Sequence, residues 1–287
     1  MEDLIVNLTP TGMVPTKEMT SHVPLEPKEI IEDVLKCAEI GVTMVHLHAR
    51  DKKGEPTYDP EIYAEIIGGI RKYRPDLILG VSLSGRNFKE FDQRAASLSL
   101  TGELKPDDGS LTTSSLNFIQ QESMNAPEMI KNLAQAMLDK GIMAEIEVFD
   151  SGMVNYAKYL IKKGLIKPPY YLNILFGNIA NAQADLVEAG HMISQLPPES
   201  LWSFAGIGEA QLKMNSVAIA MGGGVRIGLE DNIWFDEGRT KLASNEMLVK
   251  RIKALAELHG RKIMAPRNLR EKLNLHTEKG KYGLKTK

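Results

Sequence analysis

Apolar and polar residues follow one another along this chain in two rhythms, one typical of strands and one typical of helices. Residues 43–48 predict a strand, because Val45 and Leu47 are apolar and no helix breaker interrupts the run. Residues 30–38 instead repeat apolar side chains at helical spacing, between Pro27 at a favoured first-turn position and Gly41. The two rhythms alternate through most of the sequence.

The strand pattern occurs eight times, and each occurrence is followed by a helical segment. Predicted strands cover residues 4–8, 43–48, 77–84, 110–113, 143–150, 170–176, 201–207 and 225–230. Predicted helices cover residues 27–41, 88–98, 126–139, 152–163, 182–196, 209–221 and 240–259, and another opens at Asp59-Pro60.

Strict alternation of strands and helices predicts a parallel sheet, and eight units predict a closed (β/α)₈ TIM barrel. We expect one domain over residues 1–287, with a basic C-terminal extension from about residue 266 to 287. A two-domain, doubly wound protein is the alternative. No Gly-x-Gly-x-x-Gly follows an early strand, so a dinucleotide-binding fold has no positive support.

Composition narrows the class of protein further. The net charge of −2 gives no support for a nucleic-acid or membrane partner. The single cysteine, Cys37, excludes an intramolecular disulfide and is expected to be a buried thiol within a helix. No signal peptide is apparent, and no apolar run approaches the roughly 20 residues that span a bilayer. We therefore expect a soluble, cytoplasmic, globular protein.

Two histidines suggest a metal site. Side chains in a strand alternate between faces, so His46 and His48 point the same way, about 6–7 Å apart along the backbone. Glu230 belongs to the last predicted strand, where it shares a face with Arg226 and Gly228. Two histidines and one carboxylate make a plausible zinc site with an open coordination position. The alternative is a pair of purely structural histidines.

The predicted barrel gathers more polar residues around this site. Active sites of such barrels lie at the C-terminal ends of the strands, and these positions hold Ser82, Ser84, Ser110, Glu147, Glu230 and Asp231. Glu145 and Glu147 would face the interior, which is costly unless they bind something. Arg226 is a natural partner for one of them. A buried ion-pair network without a bound ligand is the alternative.

Four motifs together resemble the β-keto acid cleavage enzyme family. They are His-Leu-His at 46–48, Glu-Val-Phe-Asp-Ser-Gly-Met at 147–153, Ala-Gly-Ile-Gly at 205–208 and Arg-x-Gly-Leu-Glu-Asp-Asn at 226–232. The resemblance implies a zinc-binding TIM barrel that typically forms a homotetramer. It also implies a transferase that converts a β-keto acid and acetyl-CoA into acetoacetate and a new acyl-CoA.

The resemblance also implies roles for individual residues. His46, His48 and Glu230 would bind zinc, and Arg226 and Asp231 would be the catalytic pair beside the metal. Ser82 and Gly85 match positions that hold the carboxylate end of the substrate. Ser110 replaces a threonine of the family, and Glu147 matches a carboxylate on the fifth strand.

The chemistry has a physical rationale of its own. A β-keto acid offers its ketone and carboxylate oxygens to zinc, which as a Lewis acid would lower the pKa of the carbon between them. Asp231 is the candidate base for the proton on that carbon, and Arg226 would keep Asp231 ionised and oriented.

Two departures from the family pattern concern the substrate. Val14 stands where a glutamate of the early loop faces an amino side chain, and Ser84 replaces a glycine. We therefore expect the enzyme to disfavour 3-keto-5-aminohexanoate and to prefer an uncharged or short side chain. Arg86 could instead meet a second carboxylate if its side chain points inward.

Two other functions stay open at this point. A zinc hydrolase of the amidohydrolase type also uses His-x-His in a barrel, but usually needs further histidines from strands five and six. The remaining histidines are predicted in a loop, on two helices and in the tail, at His22, His191, His259 and His276. A non-catalytic barrel that binds a metal or small molecule is the other alternative, but it would need neither Arg226 nor Asp231.

Three basic residues are candidate contacts for the phosphates of CoA, namely Lys17, Arg86 and Arg94. For each of them the alternative is a solvated charge on the surface.

Overall fold

Eight parallel strands close into a barrel in the computed structural model, which describes residues 2–285. The strands are β1 (Val6–Leu8), β2 (Met44–Leu47), β3 (Ile78–Val81), β4 (Asp108–Thr112), β5 (Met143–Val148), β6 (Tyr170–Phe176), β7 (Ser200–Gly206) and β8 (Gly224–Ile227). Each strand pairs with the next along the chain, and β8 pairs with β1. The predicted (β/α)₈ barrel is confirmed, and the closed sheet excludes the doubly wound alternative.

Helices surround the barrel. They are α1 (Pro27–Gly41), α2 (Pro60–Arg71), α3 (Phe91–Arg94), α4 (Pro127–Asp139), α5 (Ser151–Lys162), α6 (Leu186–Ser194), α7 (Ala210–Met221), α8 (Asn245–Leu258) and α9 (Pro266–Lys272). Pro27 and Asp59 begin α1 and α2 as the sequence predicts, and Cys37 is buried in α1. Within residues 2–285, each helix is too short or too polar to cross a membrane.

Three predicted helices are wrong in extent. Residues 88–98 form the single turn α3 and a 3₁₀ turn, Ala96–Ser99, because the buried Arg94 side chain donates to the carbonyls of Leu83 and Met124. The helices predicted from residues 182 and 240 begin later, at α6 and α8. Their starts are fixed by the side chains of Asp185 and Ser244, which accept hydrogen bonds from backbone N–H groups of the first turn.

The last predicted strand is also too long. Strand β8 ends at Ile227, and Gly228 follows with φ +159°. A side chain at Gly228 would collide with the carbonyl oxygen of Thr9, since a Cβ there would lie 2.0 Å from it. Glu230 and Asp231 therefore lie in a turn after β8, and the shared strand face that we predicted for Arg226 and Glu230 does not exist.

The interior of the barrel changes in character from base to mouth. At the base, the first residues of β2, β3 and β5 pack with Leu269 of α9 and with Leu273, which follows this helix. These first residues are Met44, Ile78 and Met143. Above them the interior becomes polar, with Asn7, Asp108, Glu145, Asn173 and Ser203 all buried. The sealed apolar base leaves the C-terminal ends of the strands as the open side of the barrel.

Candidate active site

A cavity of about 660 Å³ opens at the C-terminal ends of the strands. A volume of this size suits a small ligand together with part of a larger one. Its wall includes ten polar side chains that the strands and the loops after them supply, namely His46, His48, Arg50, Ser82, Ser84, Thr112, Glu147, Arg226, Glu230 and Asp231. The site therefore lies where active sites of this fold lie.

Three side chains bring potential metal-ligand atoms together at the C-terminal end of β2. Nε2 of His46 lies 3.1 Å from Nε2 of His48, and Nε2 of His48 lies 3.2 Å from Oε1 of Glu230. All three potential ligand atoms lie within 4.8 Å of one another. The second oxygen of Glu230, Oε2, is buried without a hydrogen-bond partner among residues 2–285. A buried carboxylate oxygen beside two imidazole nitrogens fits a divalent metal ion such as zinc.

Glu145 fixes the orientation of His46 from below. Its Oε2 lies 2.7 Å from Nδ1 of His46, while its Oε1 accepts hydrogen bonds of 2.6 Å from the amides of Asn7 and Asn173. A carboxylate that accepts the Nδ1–H leaves Nε2 of a neutral imidazole free to bind a metal. Glu145 thus binds and orients His46, a role that the sequence left unassigned.

Arg226 holds three carboxylates beside the histidines. Its guanidinium donates to Glu147 over 2.8 Å, to Glu230 over 2.8 Å and to Asp231 over 2.9 Å. The ion-pair network that we kept as an alternative is therefore present, but it adjoins the histidine pair and shares Glu230 with it. One arginine consequently links the candidate metal ligand to the candidate base.

The carboxyl groups of Glu230 and Asp231 differ in their electrostatics. Burial opposes ionisation of Glu230, but His48 and Arg226 outweigh it and hold the pKa of this carboxyl well below its usual range. At Asp231 burial dominates and raises the pKa, although Arg226 acts in the opposite direction. The two neighbours are therefore suited to different tasks, Glu230 as a permanent anion and Asp231 as a group that can hold a proton.

The early loop packs directly against Glu230. Gly12 has φ +68°, and a Cβ at this position would lie 2.6 Å from Cγ of Glu230. Arg50 fixes the loop, because its buried guanidinium donates to the carbonyls of Gly12, Pro15 and Gly54. No sequence pattern indicates this role for Arg50, because its partners are three backbone groups.

The predicted substrate-binding residues divide into two groups. Ser82, Glu147 and Val14 line the cavity, and Val14 is 49% exposed at its rim. Gly85 and Ser110 lie outside its wall. Gly85 packs against the backbone of Met124, and the hydroxyl of Ser110 accepts a hydrogen bond from the backbone of Leu83.

Thr112, two residues after Ser110 on the same face of β4, reaches the cavity instead. Its hydroxyl donates to Glu147 over 2.8 Å. Only the observed end of β4 distinguishes the two positions, so the sequence pattern could not have selected Thr112.

The three candidate phosphate contacts differ from one another. Lys17 forms an ion pair with Glu29 on the surface. Arg94 is buried, and its guanidinium donates to backbone carbonyls. Arg86 lines the cavity, where its guanidinium lies 3.8 Å above the ring of Phe118.

Comparison with known proteins identifies the family. The sequence profile of the beta-keto acid cleavage enzymes matches residues 3–275. The chain belongs to this family. It is 36% identical over 277 residues to a 3-keto-5-aminohexanoate cleavage enzyme of Fusobacterium nucleatum, covering 96% of this chain and 99% of that protein. It is 34% identical to a 3-oxoadipate:acetyl-CoA acetyltransferase of Cupriavidus necator, covering 94% of each chain.

A solved structure confirms the same fold at lower identity. ObcA, in a ternary complex with a C4-CoA adduct and oxalate, superposes with a TM-score of 0.75 at 20% identity. The match covers 88% of this chain and 68% of ObcA. Both the expected fold and the expected family are therefore confirmed.

Proposed function

We propose that this enzyme transfers the acetyl group of acetyl-CoA to a β-keto acid in a zinc-dependent reaction that yields acetoacetate and a new acyl-CoA. The observation that carries the proposal is the convergence of His46, His48 and Glu230 beside the Arg226–Asp231 pair at the mouth of the barrel. The names of relatives that cover nearly the whole chain support both the keto acid and acetyl-CoA.

His46, His48 and Glu230 would hold the metal. A bound zinc ion supplies Lewis acidity toward the ketone and carboxylate oxygens of the substrate, which acidifies the C2 carbon between them. Ser82, whose side chain lines the cavity at the end of β3, would hold the carboxylate end of the keto acid.

Asp231 would take the proton from C2 of the keto acid. Arg226 keeps the carboxylate of Asp231 in one orientation through two hydrogen bonds, of 2.9 and 3.2 Å. The C2 carbanion then bonds to the thioester carbon of acetyl-CoA, and the CoA thiolate leaves.

The second half of the reaction is the reverse of a thioester condensation and takes place at the original ketone of the keto acid. The thiolate adds to the original ketone carbon, the bond from this carbon to C2 breaks, and Asp231 returns its proton to C2. Acetoacetate thus contains C1 and C2 of the keto acid and both acetyl carbons. The remainder of the keto acid becomes the acyl-CoA, and no oxidant or reductant is needed.

The side-chain end of the substrate depends on the outer wall of the cavity. The two relatives act, by their names, on keto acids whose far ends carry an amine and a carboxylate respectively. Val14 offers no negative charge to an amine, so we propose that this enzyme disfavours 3-keto-5-aminohexanoate. Competition of this substrate with 3-oxohexanoate, compared as kcat/KM, tests that proposal, and a clear preference for the amine contradicts it.

Isotope labelling tests the reaction itself. With acetyl-CoA labelled at both acetyl carbons, we expect the label in C3 and C4 of acetoacetate and an unlabelled new acyl-CoA. A hydrolase of the amidohydrolase type would form no acyl-CoA, and a binding protein would form no product. Within residues 2–285 no further histidine lines the cavity, which disfavours the hydrolase.

A further inference from the structure

Arg86 enters the cavity from the loop after β3. Its guanidinium lies 3.8 Å above the ring of Phe118, and the backbone N–H of Arg86 donates to the hydroxyl of Ser84. Phe118 in turn packs edge-on against Phe149, with ring centroids 6.0 Å apart. The aromatic contact fixes the plane of the guanidinium, so the side chain is organised before any ligand arrives.

This guanidinium differs from those of Arg226 and Arg50 in the same cavity. Arg226 donates to three carboxylates, and Arg50 donates to three backbone carbonyls. Within residues 2–285, the guanidinium of Arg86 makes neither an ion pair nor a hydrogen bond, and its Nε is fully buried without an acceptor. A cation with unfilled donors in a cavity wall calls for an anion from outside the chain.

The nearby protein carboxylates do not meet this need. Burial lowers the pKa of Arg86, and Glu230, Asp231 and Glu147 oppose that effect only from a distance. All three are already bonded to Arg226. A bound divalent cation would make the surroundings of Arg86 still more positive.

We infer that Arg86 binds the distal carboxylate of a dicarboxylic β-keto acid, so that the preferred substrate carries an acidic side chain. This inference rests on the proposed function, which places the keto acid head between the histidines and Asp231. The planar guanidinium can receive a carboxylate through two parallel hydrogen bonds. An amine would bring a second positive charge to the same wall, and a neutral side chain would leave the donors of Arg86 unfilled.

An acidic side chain thus replaces the uncharged or short one expected from Val14. The direction of the Arg86 side chain, which the sequence does not reveal, makes the difference. Val14 supplies no charge partner for an amine, whereas Arg86 supplies one for a carboxylate.

Two substrates of equal chain length provide the test. 3-Oxoadipate and 3-oxohexanoate differ only in whether a carboxylate or a methyl group ends the chain. We expect the wild-type enzyme to prefer 3-oxoadipate, and Arg86→Gln to reduce the ratio of the two kcat/KM values by about 10- to 150-fold, the loss typical of a hydrogen bond to a charged group. Arg239→Gln is the matched control, because Arg239 is an exposed cation of the same wall and should leave the ratio within about threefold.

The phosphates of CoA are the other anionic source, and the same kinetics separate them. An Arg86→Gln enzyme that loses activity equally with both keto acids, while its KM for acetyl-CoA rises, would show a CoA contact and overturn the inference. An unchanged ratio would overturn it as well. Arg86→Lys should recover part of the preference, since it restores the charge without the two parallel donors.

A binding measurement keeps this inference distinct from the proposed reaction. Adipate and hexanoate cannot react, so calorimetric titration reports on Arg86 even if no keto acid is turned over. We expect adipate to bind more tightly than hexanoate, and Arg86→Gln to remove the difference. Equal binding of both acids to the wild-type protein would reject the role of Arg86, whereas absence of turnover with tight adipate binding would reject only the proposed reaction.

Discussion

Glu145 contacts Nδ1 of His46 over 2.7 Å, from strand β5 across the interior of the barrel to strand β2. Both side chains are almost fully buried, and the other oxygen of Glu145 is held by the amides of Asn7 and Asn173. A buried carboxylate in this position determines which imidazole nitrogen faces the cavity. The candidate metal site thus extends one layer below its ligands.

We predict that Glu145→Gln lowers zinc affinity by about 10- to 100-fold, the range found when a carboxylate behind a histidine ligand is removed. The amide has the size of the carboxylate but not its charge, so His46 is oriented less firmly. Competition with a chelator of known affinity measures the change. Glu147→Gln is the control, because Glu147 contacts Arg226 and Thr112 and neither histidine. Equal zinc affinity in the Glu145→Gln and wild-type proteins would contradict this role.

We predict one zinc ion per subunit and its loss from both His46→Ala and His48→Ala. Each substitution leaves two of the three ligands, which is too few to hold zinc firmly. Elemental analysis after dialysis provides the measurement, and His191→Ala, on α6, is the control that should retain the metal. The assignment is wrong if both cavity variants keep stoichiometric zinc.

We predict that Asp231→Asn retains zinc and binds substrate but loses about 10²- to 10⁴-fold in kcat, because an amide cannot take the proton from C2. The pKa of Asp231 is raised by burial, which makes it a stronger base than an exposed aspartate. Exchange of the C2 protons with deuterated water, followed by NMR without acetyl-CoA, isolates this step. Near-normal exchange in the variant would exclude Asp231 as the base.

The barrel and its candidate histidine pair were accessible to sequence reasoning because both depend on local periodicity. Alternation of faces in β2 places His46 and His48 together without knowledge of any other strand. The position of Glu230 was predicted for an incorrect reason, since Gly228 ends the strand before it. Its side chain still reaches the histidines because the turn folds back over Gly12.

Contacts between distant segments could not be predicted in the same way. The inward direction of Arg86 depends on Phe118, which lies 32 positions later in an irregular segment. The helix predicted over residues 88–98 is interrupted because Arg94 binds backbone groups that no periodicity reveals. The contacts of Arg86 and Arg94 with residues far away in the sequence were therefore not predictable from the sequence pattern.

We predict a pH-dependent stabilisation by Asp33→Asn. Asp33, on α1, accepts a 2.6 Å hydrogen bond from Asn245, and burial raises its pKa from 3.8 to about 6. The folded protein therefore holds this proton more tightly than the unfolded chain. Stability falls as the pH rises from about 4 to 6, and the full cost remains above that range.

The asparagine variant should avoid this cost. We expect it to gain ~1 kcal/mol at pH 7.5, reduced from the full linkage value because Asp33 is only half-buried, and to gain little at pH 4. Thermal unfolding at both pH values measures the difference. Glu39→Gln, an exposed site on the same helix, controls for the loss of one negative charge. A gain that is equal at both pH values would contradict the linkage.

The basic C-terminal segment supplies the last prediction. Arg270 of α9 donates to both oxygens of the buried Asp107, over 2.8 Å each, and to the backbone carbonyls of Asp76 and Leu77. Arg71 adds a third bond to Asp107 over 3.1 Å. Arg270 of this segment is thus directed inward, where it attaches α9 to the base of the barrel.

We predict that Arg270→Ala destabilises the fold by ~3–5 kcal/mol, because it leaves Asp107 buried with only Arg71 as a charged partner. Arg267→Ala, on the same helix, removes an exposed pair with Glu271 and should cost less than ~1 kcal/mol. Urea denaturation measures both free energies of unfolding.

Because burial opposes ionisation of Asp107 and the two arginines outweigh it, the pKa of Asp107 lies below the ordinary 3.8 in the folded protein. The stabilisation is therefore complete at neutral pH and is lost in acid, so Arg270→Ala and wild type should converge in stability as the pH falls below about 4. A constant difference between them down to pH 3 would show that Arg270 stabilises α9 through its backbone contacts rather than through Asp107.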